Sequence, residues 1–454
     1  MSIQIINPAT GDLIKTFTEF TQKMIEERLQ SASQTYYQWK KIPFSIRKKL
    51  MLLVADNLQD NKEKYAKLIT QEMGKPIIQS KSEIEKCILV CRYFAENAEK
   101  FLSNEIVQTE AMKSYIHCEP LGVILVIMPW NFPFWQVFRA VVPIIMAGNT
   151  VVLKHASNVS QTSLVIEKIF HDCGFLKGVF TSLLIEGSTV LRIIDDKRIV
   201  GVTLTGSESV GKIVAEYAGS TIKKTLLELG GSDPFIILSD ANLESASEVA
   251  VQARMINAGQ SCIAAKRFIV CEDIVDEFIS LFVSKMKALV LGDPLDEKTQ
   301  VGPLARKDLL TQLHQQVEKS LKKGAQLLLG GKIIQGKGFF YEQAIVSNVV
   351  KGMPLYDEEV FGPVASIIIV ADENEALCVA NDTKYGLGAS VWTQKAKSIE
   401  KFIHGLEVGS VFINDMVKSD PRLPFGGIKL SGYGRELGMY GIKEFVNIKT
   451  IVIK

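Results

Sequence analysis

Val-Gly-Val-Thr-Leu-Thr-Gly-Ser-Glu-Ser-Val-Gly, residues 200–211, passes from an apolar strand pattern through a glycine-bearing turn into the start of a helix. Val200–Leu204 reads as a short buried strand, and backbone N–H groups of the turn at 205–211 can face a phosphate at the helix start. The ordinary Gly-x-Gly-x-x-Gly is lacking, and a lone Gly-x-x-x-x-Gly is shared by many strand-to-helix turns. What gives the segment weight is that its pattern recurs on both sides. Between 120 and 240 the predicted strands are Gly122–Met128, Thr150–Leu153, Val179–Ile185, Val200–Leu204 and Thr225–Leu229, with helices near 133–147, 160–173, 187–195 and 208–218. Such alternation implies a parallel sheet covered on both faces, with ligands at the carboxyl ends of its strands.

Farther out, residues 21–104 carry helical periodicity, as in Ile46–Gln59 and Lys81–Phe101. A second alternating region runs from about 235 to 415. It includes Pro234–Leu238, Arg267–Val270, the helix Ile274–Leu289 and strands near 326–329, 364–370 and 410–413. Leu-Gly-Gly-Ser-Asp (229–233) joins the two regions as a crossing point. Glu228 ends the first region and Cys262 belongs to the second, so a site built from both lies in the cleft between them.

Bulk composition limits the choices. The 454 residues suffice for two or three domains; 47% are hydrophobic and 22% charged, as in a folded soluble protein. A net charge of +2 gives no electrostatic reason to expect nucleic acid or a membrane surface. No basic segment followed by a hydrophobic signal core opens the chain, and Val123–Met128 and Val141–Ala147 are too short to span a bilayer, so a cytoplasmic protein is expected. The seven cysteines lack paired spacing and read as free thiols; with five histidines and no Cys-x-x-Cys, no metal site is expected.

Two residues suggest chemistry. Glu228 lies in Leu-Leu-Glu-Leu-Gly-Gly-Ser-Asp-Pro (226–234), and Cys262 in Asn-Ala-Gly-Gln-Ser-Cys (257–262). A thiol attacks as thiolate or beside a group that takes its proton, and a carboxylate at the end of an apolar run can be that group. Arg139 is the other unusual residue. Between Phe132 and Gly148 only Gln136 and Arg139 are polar, on a helix expected to be buried. A buried guanidinium needs an anion, either a substrate carboxylate or an internal acidic side chain. Trp135, four residues earlier, shares its helix face.

Pro-Trp-Asn-Phe-Pro (129–133), Leu-Glu-Leu-Gly-Gly (227–231), Gly-Gln-Ser-Cys (259–262), Glu-Glu-Val-Phe-Gly-Pro (358–363) and Pro-Phe-Gly-Gly-Ile-Lys-Leu-Ser-Gly (424–432) stand in one order along nearly the whole chain. With these motifs the chain resembles the aldehyde dehydrogenase superfamily. Lys-His-Ala-Ser-Asn-Val (154–159) and Met-Val-Lys-Ser-Asp-Pro-Arg-Leu-Pro (416–424) look most like the short bacterial and cyanobacterial succinate-semialdehyde dehydrogenases. The resemblance implies an α/β fold: a Rossmann-type cofactor domain (1–112 and 126–228), an α/β catalytic domain (229–419) and a small β oligomerisation element (113–125 and 420–454).

It also implies roles. Cys262 attacks the aldehyde to give a thiohemiacetal, whose hydride passes to the nicotinamide. Glu228 activates the water that hydrolyses the remaining thioester, and Asn131, with the Cys262 N–H, donates to the oxyanion; the plain alternative for Asn131 is an N-cap. Cofactor contacts are expected from Trp130, Lys154, His155, Ala156, Ser157, Gly206, Ser207, Val210, Leu229, Glu359 and Phe361. Many NAD-dependent relatives carry an acidic residue where this chain has Ser157, and serine leaves room for a 2′-phosphate, so NADP is expected over NAD. Trp135, Arg139, Ser261 and Ser419 are the expected substrate contacts, with Arg139 on the distal carboxylate. The expected activity is oxidation of succinate semialdehyde to succinate; the alternative is glutarate semialdehyde or small aliphatic aldehydes. A non-redox cysteine hydrolase would leave the cofactor motifs unexplained. Lys113–Glu119 and Glu444–Lys454 resemble the family's oligomerisation strands, which implies a homodimer or homotetramer.

Overall fold

The computed structural model describes residues 2–454. Its first large sheet has six strands, in the order Gly432–Tyr433, Lys224–Glu228, Ile199–Thr205, Val123–Met128, Thr150–His155 and Phe180–Ser182. All neighbours run parallel except the short Gly432–Tyr433, which is antiparallel to Lys224–Glu228. All six residues of Val123–Met128 are buried, as a central strand covered on both faces requires. The chain leaves this strand to one side through Thr150–His155 and returns on its other side through Ile199–Thr205. Reversal of the winding opens a crevice at the carboxyl ends of these strands. The segments Pro129–Asn131, Ala156–Ser157, Gly206–Ser207 and Glu228 itself all lie there.

A second sheet has seven strands, in the order Gln326–Leu329, Ala344–Ser347, Val364–Val370, Arg267–Cys271, Pro234–Ile237, Gly388–Trp392 and Ser410–Ile413. Only Gln326–Leu329 is antiparallel to its neighbour. Here the chemistry-bearing segments precede strands: Gly230–Gly231 before Pro234, Cys262 before Arg267, and Glu359 before Val364. Pro234 pairs with Arg267, and Arg267 with Ser366, so these entrances line up along one edge.

The helix Ile77–Phe101 buries Ile84, Cys87, Ile88, Cys91, Phe94, Ala95 and Ala98, a stripe at three- and four-residue spacing. It starts four residues earlier than the periodicity predicts, because Pro76 stands immediately before its first turn. Trp135–Met146 is buried at all twelve positions. Cys87 and Cys91 share the buried face and are free. Two strands of the seven-stranded sheet were not picked out of the sequence, Ala344–Ser347 and Gly388–Trp392; the latter is punctuated by glycine and serine. The domain boundaries also move. Residues 123–125 belong to the middle of the six-stranded sheet rather than to an oligomerisation element, since Val123–Met128 pairs along its length on both sides. Gly432–Tyr433 likewise extends that sheet.

Lys113–Pro120 pairs antiparallel with Val446–Ile453 over eight residues, and with Glu105–Ile106 on its other side. Val446–Ile453 is thus an edge strand, and Ile448 and Val452 on it are exposed. No helix among the described residues is long and apolar enough to cross a membrane.

Candidate active site

Cys262 sits on a loop whose backbone is unusual. Asn257 and Ala258 have φ of 52° and 51°, and Gly259 has φ of 74°. Non-glycine residues in this region are sparse and cluster at functional sites. At Gly259 a side chain would be impossible as well as strained, since a Cβ would lie 2.1 Å from the Gly362 carbonyl.

Buried cations hold this loop. Arg254 Nη2 donates to the carbonyls of Gly259 (2.7 Å) and Gly362 (2.8 Å), and Nη1 to that of Ala265 (2.8 Å). Lys266 Nζ donates to the carbonyls of Ser261 (3.0 Å), Cys262 (2.6 Å) and Ala264 (3.1 Å). Burial lowers the pKa of both cations, and the main-chain carbonyls take their protons' hydrogen bonds. The loop is fastened to the next sheet's crevice through Asn131. Asn131 Nδ2 donates to the Gln260 carbonyl (3.1 Å), and the Asn131 carbonyl accepts from Asn257 Nδ2 (2.7 Å). One amide hydrogen of Asn131 is therefore engaged two residues before the nucleophile, and the other is not.

The Cys262 thiol is pushed up to about 12 by burial, against the opposing pull of Arg139 and Lys266. It rests as a thiol and requires a proton acceptor to react. Glu228 is 2% exposed, and its Oε1 has no hydrogen-bond partner among the described residues. Burial, and then the nearby charge of Glu436, push its carboxyl well up. Glu436 is the carboxylate of this pair that has a cation, because Arg139 Nε lies against its Oε2. Like charges in one buried site favour one ionised and one neutral member.

Arg139 has an internal acidic partner in the structure. Its guanidinium pairs with Glu436, its Nη2 donates to Thr205 Oγ1 (3.3 Å), and its carbon lies 4.8 Å over the Phe425 ring. Of the two anions that the sequence left open for Arg139, the internal acidic side chain is present in the structure as Glu436. Ser261 is likewise 1% exposed, and it is the carbonyl that is used, by Lys266. Ser419 has a different neighbour: its Oγ accepts from Lys86 Nζ at 2.7 Å, and the Lys86 ammonium stands 4.5 Å over the Trp135 ring.

Several expected cofactor residues share the first sheet's crevice. Ser207 caps the helix Glu208–Ser220, accepting from the Val210 N–H, while the Val210 side chain stays 44% exposed. Gly206 precedes the cap, and Leu229 packs where a side chain on Gly211 would fall. Lys154 is half-buried with its pKa lowered by desolvation, and Ser157 is exposed; they flank the end of Thr150–His155, with Ala156 between them. Glu359 Oε1 accepts from the Gly231 N–H at 3.0 Å, and any side chain at Gly230 would strike Glu359 Oε2 at 2.6 Å. Trp130 meets Phe361 edge-on at 5.9 Å.

His155 departs from expectation. Its ring is turned into the protein, with Nε2 donating to the Pro133 carbonyl (2.9 Å) and Nδ1 accepting from the Ala156 N–H (3.0 Å), an assignment made from the hydrogen-bond network. Burial lowers it to about 4, so it is a neutral strut for the Pro129–Pro133 turn rather than a side chain offered to a cofactor. A free lysine, an exposed serine, an open apolar side chain and a capped helix start along one crevice fit a dinucleotide phosphate.

Sequence reading missed Lys86, Arg254, Lys266, Asn257 and Glu436. Asn257 lay within a quoted motif, and asparagine is one of the few non-glycine residues that tolerate left-handed backbone, but its bond to the Asn131 carbonyl is not a local feature. The cations looked like ordinary charges on helices and strand ends.

Residues 1–451 match the aldehyde dehydrogenase family. The chain is 49% identical over 453 residues to a "Probable succinate-semialdehyde dehydrogenase" with NADP(+) from Synechocystis sp., covering all of both chains. It is 46% identical over 457 residues to the NADP(+) succinate-semialdehyde dehydrogenase of Mycobacterium avium, covering 100% of this chain and 97% of the other. Succinic semialdehyde dehydrogenase from Streptococcus pyogenes, solved in complex with NADP+, is similar with a TM-score of 0.97 at 38% identity over 99% of each chain. By this full-length likeness the chain belongs to the aldehyde dehydrogenase family.

Proposed function

We propose that the protein oxidises succinate semialdehyde to succinate, with NADP preferred over NAD. The observation that supports the reading is the fastening of Asn131 Nδ2 to the Gln260 carbonyl, two residues before Cys262, in a chain whose relatives carry that activity in their names. The six-stranded sheet holds the cofactor, and the seven-stranded sheet presents the nucleophile. Lys154, Ser157 and Ser207 with the helix start hold the phosphates and ribose, while Glu359 and Phe361 border the nicotinamide side. The bound cofactor supplies the hydride acceptor.

Cys262 Sγ gives up its proton, as thiolate forms a bond to the aldehyde carbon, and the carbonyl π electrons move onto the oxygen as the oxyanion. Asn131 turns its spare amide hydrogen, with the Cys262 N–H, to the developing oxyanion; such a donor is worth roughly 10²–10³ in rate. After hydride departure a thioester remains on Cys262, and Glu228 takes a proton from the water that cleaves it. Absorbance at 340 nm with succinate semialdehyde, glutarate semialdehyde and butanal, each with NADP and NAD, tests the assignment. Highest kcat/KM for succinate semialdehyde with NADP is expected; a clear preference for butanal overturns it.

Cofactor choice has its own test. Ser157 is exposed, and its carbonyl, not its hydroxyl, is used by Ser160 at 2.8 Å. Ser157→Glu places a carboxylate where a 2′-phosphate would sit, so KM for NADP should rise at least about tenfold while that for NAD changes little. Equal changes for both would place Ser157 away from that phosphate.

The edge strand Val446–Ile453 supports strand addition between subunits into a dimer or tetramer. Light scattering at micromolar concentration should give twice or four times the 50.3 kDa chain mass; a monomer would remove this reading.

A further inference from the structure

Lys266 is a fully buried cation beside the nucleophile loop, and its three ammonium hydrogens are all spent on main-chain carbonyls: Ser261 (3.0 Å), Cys262 (2.6 Å) and Ala264 (3.1 Å). Glu359 Oε1 lies 3.9 Å away as its countercharge. The Ser261 carbonyl also accepts from the Ala264 N–H at 3.2 Å, so both of its lone pairs are taken. That carbonyl belongs to the same peptide unit as the Cys262 N–H. The unit is trans, and in a planar trans peptide the C=O and N–H point opposite ways, so fixing one fixes the other. The Cys262 N–H is thereby turned away from Lys266, and it has no acceptor among the described residues.

We infer that Lys266 is a positioning residue for the oxyanion site: it holds the 261–262 peptide in the orientation that offers the Cys262 N–H to the substrate oxygen, and its charge strengthens that donor. This rests on the reading of Cys262 as the nucleophile that adds to an aldehyde. A cation on the carbonyl end of an amide draws electron density from the nitrogen and makes the N–H a better donor, as linked hydrogen bonds polarise one another. Bonds from a charged donor are roughly twice as strong as neutral ones, so the peptide stays in place while charge develops beside it. Asn131 is anchored separately, with its Nδ2 on the Gln260 carbonyl at 3.1 Å. The two oxyanion donors thus have different supports, a neutral one for the side-chain amide and a charged one for the main chain. Lys266 has no ammonium hydrogen left for a substrate, and its direct pull on the Cys262 thiol is smaller than that of Arg139. Its effect on aldehyde addition therefore passes chiefly through the peptide.

Two reactions of the same sulfur test this role. Addition to an aldehyde needs the oxyanion donors, whereas alkylation by iodoacetamide displaces iodide and creates no oxyanion. Wild type, Lys266→Met and Lys266→Gln are compared, with Tm and NADP quenching of tryptophan fluorescence measured on each. Glutamine keeps two amide hydrogens for the carbonyls but no charge, so it decides the matter where the methionine variant does not fold. Removing an oxyanion donor outright costs roughly 10²–10³ in rate, so with a weakened one the first-turnover NADPH burst on succinate semialdehyde should slow by at least about tenfold in Lys266→Gln, and further in Lys266→Met. Alkylation of the free enzyme at one pH should stay within about threefold of wild type, since the sulfur itself is unchanged. In a Glu228→Gln background, where the thioester accumulates, adding Lys266→Gln should move the infrared stretch of the thioester carbonyl to higher frequency, because a weaker donor polarises it less. A wild type that oxidises no aldehyde overturns the nucleophile reading, and the role of Lys266 with it. In an active wild type, the Lys266 role alone is overturned by an unchanged burst, by burst and alkylation falling together, by an unmoved carbonyl stretch, or by lost NADP binding in Lys266→Gln.

Discussion

Cys262→Ala should lose at least about 10⁴-fold in aldehyde oxidation while still binding NADP, because the variant lacks the atom that bonds to the substrate carbon. The fold should tolerate the change. The loop is held by Lys266 on the carbonyls of residues 261, 262 and 264 and by Arg254 on that of Gly259, all main-chain contacts that the substitution leaves in place. Quenching of tryptophan fluorescence by NADP, with Trp130 at the crevice, reports binding independently of turnover. Near-normal oxidation by this variant would remove the central claim; lost NADP binding would mean that the thiol supports the crevice instead. In the wild type, the half-buried Cys262 thiol, pushed up to about 12 by desolvation, should react with iodoacetamide slowly at neutral pH and faster as pH rises.

Glu228→Gln is the second large effect. Glutamine keeps the volume at a position 2% exposed but cannot take a proton. Hydride transfer in the first turnover should persist, whereas thioester hydrolysis should slow by roughly 10²-fold or more. Rapid mixing should then show a burst of NADPH followed by slow turnover. Loss of the burst itself would instead make Glu228 the acceptor of the thiol proton. The pH profile adds a sign. Burial and the charge of Glu436 raise the Glu228 carboxyl, so its basic form grows as pH increases, and kcat should climb toward alkaline pH. Glu228→Gln should lose that limb; any rise that survives belongs to a different group.

Much of this protein was legible in the order of its residues. Short apolar runs separated by helical segments specify a parallel sheet by period and length alone, and the strand Ile199–Thr205 lies within one residue of its predicted span at each end. The motifs around Glu228 and Cys262 were equally plain, since glycines beside a reactive side chain mark close backbone approach. At Gly230 the structure supplies the reason: a side chain there would collide with Glu359. Positions and chemistry of such local patterns survive in one dimension because neighbouring residues create them.

Tertiary structure decided which distant charges meet. Arg139 required an anion by sequence, and either of two sources would have served; only the fold brings Glu436, nearly three hundred residues later, against its guanidinium. His155 stood in a cofactor-like motif, yet the turn after Val123–Met128 offered it a carbonyl and drew the ring inward. Lys86 lies in a helix that the sequence marked only by its periodicity, and became distinctive only when Ser419 and Trp135 closed around it. Whether a charged side chain is solvated, paired or waiting for a ligand depends on desolvation and on partners from other elements, and neither is a property of its neighbours in the chain.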